Sequence, residues 1–121
     1  MEAKINRHIR DFREDFTIEF NVKFPPNMAN ISEEDLEFEW STGHFTNDYA
    51  LACFEKIKKV CRSKRWSLSD WSFAGRSAGW FALLCNGDSD TVTETQLGKI
   101  EQIVESFYKN YGNALCAHYS L

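Results

Sequence analysis

From Phe16 to Phe24 the chain alternates without a break: Phe16, Ile18, Phe20, Val22 and Phe24 on one side, Thr17, Glu19, Asn21 and Lys23 on the other. A period of two over that length is the pattern of a β-strand with one face buried and one face wet. Such a strand needs neighbours for its ladder and a layer over its apolar face. Pro25 and Pro26 end it, because neither can donate to a ladder.

A second apolar stretch, Trp66 to Cys85, carries three of the four tryptophans. It reads as two strands joined at a glycine-flanked turn, Gly75, Arg76, Ser77, Ala78, Gly79, with a further turn at Asn86-Gly87-Asp88. Between these stretches, Ala50, Cys53, Phe54, Ile57, Val60 and Cys61 recur at helical spacing, which predicts a helix over 46–63 with Thr46 as its cap. Leu97, Ile100, Ile103, Val104, Phe107 and Tyr111 predict a last helix ending at Gly112. Its start is marked by two alternative capping boxes, Thr91-x-x-Glu94 and Thr93-x-x-Gln96.

Two segments admit more than one pattern. Residues 2–14 place Ile5, His8, Ile9 and Phe12 at helical spacing and predict an amphipathic helix with a basic outer face. In 32–41, Ser32-x-x-Asp35 suits a helix start, but Leu36, Phe38 and Trp40 alternate with Glu37 and Glu39, and the alternation decides for a strand over 35–41. The expected order is helix-strand-strand-helix-strand-strand-helix. That order gives one two-layer α+β domain over 1–121, with a mainly antiparallel sheet of about four strands and the helices on one face.

With a net charge of −4, the chain lacks the basic balance of a general nucleic-acid coat. The charge is nevertheless sorted. Acids cluster at Glu33, Glu34, Asp35, Glu37 and Glu39, and bases at Lys56, Lys58, Lys59, Arg62, Lys64 and Arg65. Cys53, Cys61, Cys85 and Cys116 form no C-x-x-C pair and fall within apolar patterns, so buried free thiols in a reducing compartment are expected. No apolar run reaches membrane-spanning length and the first residues have no signal-peptide core, which predicts a cytosolic protein that makes no membrane contact.

Catalytic and metal motifs do not stand out. The three histidines and the cysteines have no zinc-ligand spacing, and Asp88-x-Asp90 lacks the glycine and glutamate of a calcium loop, Thr93 and Lys99 standing in their places. Ser77 sits between glycines as in a nucleophile elbow, but the flanking segments read as two strands, where the elbow needs a strand and a helix. The same turn fits neither phosphate-loop pattern. No cofactor, metal or catalytic residue is expected.

Two binding classes remain. Trp71, Ser72, Phe73, Ala74, Gly75, Arg76, Ser77, Ala78, Gly79 and Trp80, followed by Phe81-Ala82-Leu83-Leu84, resemble the G-R-S-G-G-W-L strand-turn-strand signature of small bacteriophage accessory proteins, with Ala78 in place of one glycine. The resemblance spans about fifteen of the 121 residues. It implies a phage or mobile-element protein that inhibits a host defence or nucleoprotein complex by binding it, the class to which anti-CRISPR proteins belong. The expectation is therefore a non-enzymatic protein-binding module acting in the host cytosol. Its anchors would be Arg76, Trp66, Trp71 and Trp80, with Glu37 and Glu39 facing a basic channel on the target. The alternative is a nucleic-acid binder using Lys58, Lys59, Arg62 and Arg65 of the run 56–65 together with the hairpin aromatics.

Overall fold

The alternating segment forms a strand, β2 (Arg13–Val22), and both of its edges are occupied. The computed structural model describes residues 3–10, 13–22, 28, 30–42, 46–61, 65–75 and 79–119. On one side β2 pairs antiparallel with β1 (Ala3–Arg10), from Ala3↔Phe20 to Arg10↔Arg13. On the other it pairs antiparallel with β4 (Gly79–Gly87), which pairs in turn with β3 (Trp66–Gly75). The order across the sheet is β1-β2-β4-β3. Among the described residues three α-helices complete the α+β domain: α1 (Glu33–Thr42), α2 (Thr46–Val60) and α3 (Glu94–His118).

The expected helix over 2–14 is instead β1. An isolated helix of that length is marginal in water, whereas the same residues beside β2 gain a full ladder of hydrogen bonds. In the strand, Ile5 faces Ile18 and packs on the core. Arg7 shares that face at the margin of the sheet and pairs with Asp90. The expected strand over 35–41 is α1. With β1 and β4 on either side, β2 has no edge left to offer it, and the Ser32 hydroxyl accepts the Asp35 N–H at 3.2 Å as a helix cap does. Along the helix Leu36 turns inward and Phe38 outward.

The core is continuous. Phe16, Ile18, Phe20 and Val22 of β2 and Phe81, Leu83 and Cys85 of β4 meet Leu36 of α1, Cys53 and Ile57 of α2, and Ile100, Val104 and Leu115 of α3. All these strand residues share one face, so the helices lie on that face. An aromatic chain runs through it: Phe54 against Trp71, Trp71 stacked on Phe81, Phe81 edge-on to Phe107, and Phe107 stacked on Tyr111. The four cysteines are buried and free, as their apolar settings predicted.

α3 begins at the second of the two capping boxes. The Thr93 hydroxyl accepts the Gln96 N–H at 3.1 Å, and the Gln96 side chain accepts the Thr93 N–H at 3.0 Å. Thr93→Ala is expected to cost about 1 kcal/mol and lower the thermal midpoint by a few degrees, a loss that Thr93→Ser largely avoids. The helix runs past Gly112, its expected end, because Leu115 and Cys116 still have core to bury in.

The two edge strands differ in chemistry. β1 carries Lys4 and Arg7 exposed. β3 is broken by a bulge between Leu68 and Asp70, where the Ser69 hydroxyl donates to the Leu84 carbonyl at 3.1 Å and the Trp71 N–H donates to the Asp70 carboxylate at 2.8 Å.

Candidate functional site

An antiparallel sheet covered on one side normally alternates apolar-in and polar-out. Here β2 obeys, turning Asp15, Thr17, Glu19 and Asn21 outward, and β3 obeys with Ser67, Asp70 and Ser72. β4 does not. Its outward residues are Trp80, Ala82 and Leu84, with polar Asn86 only at its end, so most of a central strand is apolar on both faces although the described helices lie on one. Leu84 is 42% exposed and Trp80 half-buried, and neither joins the core.

The rows across this outer face are explicit in the register. Asn6, Thr17, Leu84 and Asp70 form one; Lys4, Glu19, Ala82 and Ser72 the next; and Asn21 and Trp80 lie beyond them, toward the hairpin end. The apolar stripe thus has polar and acidic shoulders, with Asp15, Glu19 and Asp70 against Lys4. Thr17 donates to Glu19 at 3.5 Å, which turns that carboxylate along the strand.

The tryptophans separate. Trp66 is buried against Phe16, ring centroids 5.8 Å apart, and its indole N–H has no acceptor among the described residues. Trp71 lies on the inner face between Phe54 and Phe81. Neither presents a free ring to a partner, whereas Trp80 is half-buried on the outer face. Arg76 and the turn around it, 76–78, lie outside the described residues, as does Arg62. Arg65 is exposed at the start of β3, its carbonyl accepting the Asp88 N–H at 2.9 Å.

The charged clusters separate as well. Lys58 and Lys59 are exposed near the end of α2, with Lys58 lying 5.0 Å above the Phe54 ring and 3.9 Å from Glu55. Glu37 is exposed on α1, but Glu39 is 1% exposed, its carboxylate accepting the Tyr119 hydroxyl at 3.2 Å. Burial, with that carboxylate beside it, pushes the Tyr119 hydroxyl up to about 12. Glu39 therefore joins α1 to the end of α3 and does not face a target. Reversing its charge would bury a cation there, so among the acids named from sequence Glu37 is the one that reports on surface charge.

Among the described residues no group of three or more His, Cys, Asp or Glu side chains is placed to hold a metal ion. Burial pushes the thiols of Cys53, Cys61 and Cys85 up to about 12, which leaves them protonated and poor nucleophiles at neutral pH. No helix is long and apolar enough to cross a membrane among these residues. No family model matches the chain, and comparison with curated proteins and with solved structures finds no match.

Leu84 is the site residue that the sequence reading passed over. Its signal was present: Trp80, Ala82 and Leu84 interleave with Phe81, Leu83 and Cys85, which leaves 80–85 without a polar side chain.

Proposed function

We propose that this chain is a non-catalytic binding module that engages a partner protein through the outer face of its sheet, with Trp80 and Leu84 as anchors. One observation carries the reading: β4 keeps Trp80, Ala82 and Leu84 on a face that no described helix covers. An outward tryptophan and leucine on a strand with polar shoulders match the usual make-up of an interaction hot spot. The acidic shoulders, Asp15, Glu19 and Asp70, favour a partner whose apolar patch is rimmed by basic groups. Taken with the hairpin resemblance, that partner is a host protein or nucleoprotein complex, and binding inhibits it.

The nucleic-acid reading keeps less of its aromatic support, because Trp66 and Trp71 are turned into the core and offer no stacking platform beside Lys58 and Lys59.

The test is a pull-down from host lysate, with and without nuclease, using the parent chain, Leu84→Lys, Trp80→Ala and a Lys58→Glu/Lys59→Glu pair. A partner that survives nuclease, is lost with either sheet-face variant and is retained by the lysine pair is the expected result. Each anchor is expected to weaken binding by roughly tenfold or more. A captured species that vanishes with nuclease and with the lysine pair, yet tolerates Leu84→Lys, would overturn the proposal in favour of nucleic-acid binding.

A further inference from the structure

On the opposite side of the molecule, α2 and α3 run antiparallel and touch at two levels. At one, the Gln96 side-chain N–H donates to the Val60 carbonyl at 3.5 Å; at the other, the rings of Tyr49 and Tyr111 meet with centroids 6.5 Å apart. Between these levels the helices leave a solvent-open groove of about 500 Å³. Small side chains face it, Ala52 and Cys53 from α2 and Ser106 from α3, so nothing fills the gap. Its floor is Cys53, Val60, Ile103 and Phe107.

The charge in the groove is of one sign. Lys56 and Lys99 line it, and among the described residues no acid does, in a chain whose net charge is −4. Neither lysine makes an ion pair with a described residue. Helix geometry also places them together. Lys56 precedes Val60 by about one turn, and Lys99 follows Gln96 by just under one turn, so both residues branch from the half of the groove nearer the Gln96–Val60 contact. From Lys56 back to Tyr49 is seven residues, roughly 10 Å along α2. The groove therefore has an apolar floor, polar walls that include Gln102 and Asn110, and its two described cations nearer one end, and its volume lies within the range of small-molecule sites.

We infer that this groove binds a small amphipathic anion, an apolar chain or ring bearing one carboxylate, with the carboxylate between Lys56 and Lys99 and the apolar part lying along Cys53, Ile103 and Phe107. A hydrogen-bonded charge at each lysine gives the head its orientation, and burial of the tail on the floor gives most of the affinity. The site is independent of the sheet face.

Isothermal titration of the full chain with decanoate tests it, with decylamine and decanol as probes of matched tail length. The expected result is saturable one-to-one binding of decanoate, with decanol weaker and decylamine weakest. Lys56→Gln/Lys99→Gln should weaken decanoate about a hundredfold, roughly tenfold per charged contact, and leave decanol unchanged. Ser106→Trp, which fills the groove from an exposed position, should abolish binding of all three. Equal affinity for decanoate and decylamine, decanoate binding that survives either set of variants, or no binding of decanoate to the parent chain would each overturn the assignment.

Discussion

Gly87→Ala is expected to lower the unfolding free energy by about 3 kcal/mol and the thermal midpoint by roughly 10 °C. Gly87 closes β4 with φ +116°, a conformation that side-chain-bearing residues rarely adopt. Space forbids the change as well: a Cβ there would stand 2.2 Å from the Arg65 carbonyl oxygen and 2.8 Å from the Trp66 Cα. Both are backbone atoms, so relief requires the start of β3 to move. That start is fixed by burial of Trp66 and by the hydrogen bond from the Asp88 N–H to the Arg65 carbonyl. Gly98 supplies the control, since a Cβ at that exposed site in α3 meets nothing within 4 Å. Gly98→Ala should instead raise stability by about 0.5–1 kcal/mol. Equal effects of the two substitutions in a thermal or urea titration would refute this account of the turn.

Alkali should unfold the protein well before it damages it chemically. Cys53, Cys61 and Cys85 titrate near 9 when exposed, and burial holds them up to about 12 in the fold. The direction follows from proton count. Above pH 9 the unfolded chain releases thiol protons that the folded chain retains, so unfolding becomes more favourable as pH rises, until the folded thiols titrate near pH 12. At pH 10 each thiol withdraws about 1.4 kcal/mol, or about 4 kcal/mol for the three, a large part of the stability of a domain this size. Urea midpoints at pH 8 and pH 10 measure it. Cys53→Ala or Cys85→Ala, though less stable at pH 8, should lose about a third less between the two pH values. A midpoint that does not move over this interval would contradict the burial of these thiols.

Much of the fold was legible in the sequence because it rests on unambiguous periodicity. The β2 alternation, the 66–87 hairpin, α2 and the start of α3 follow from patterns that fit one element type. The misreadings come from segments that satisfy two. Ile5, Ile9 and Phe12 suit a helix, yet Ile5 and Ile9 also alternate, and the ladder with β2 decides. Leu36, Phe38 and Trp40 alternate, yet both edges of β2 are occupied and Ser32 caps a helix, so the segment forms α1.

The site was half legible for a related reason. Trp66 and Trp71 are an odd number of residues apart, so a regular strand would put them on opposite faces. The bulge at Ser69 restores both to the inner face and leaves Trp80 as the outward tryptophan. No residue in β3 announces that bulge. The groove between α2 and α3 was also out of reach, since Ala52, Cys53 and Ser106 matter there for the volume they leave empty.

The bulge in β3 and the cationic rim of β1 have a consequence for solution behaviour. A sheet with an apolar outer face invites copies to add edge to edge and grow without limit. Here an incoming strand would meet a kinked ladder whose Trp71 amide is already engaged by Asp70 at one margin, and the ammonium and guanidinium groups of Lys4 and Arg7 at the other. Contact is thereby steered to the broad side of the sheet, which can be covered only once. On the proposal that the outer face binds a partner, such edges would let the apolar stripe stay on the surface without inviting growth along the ladder.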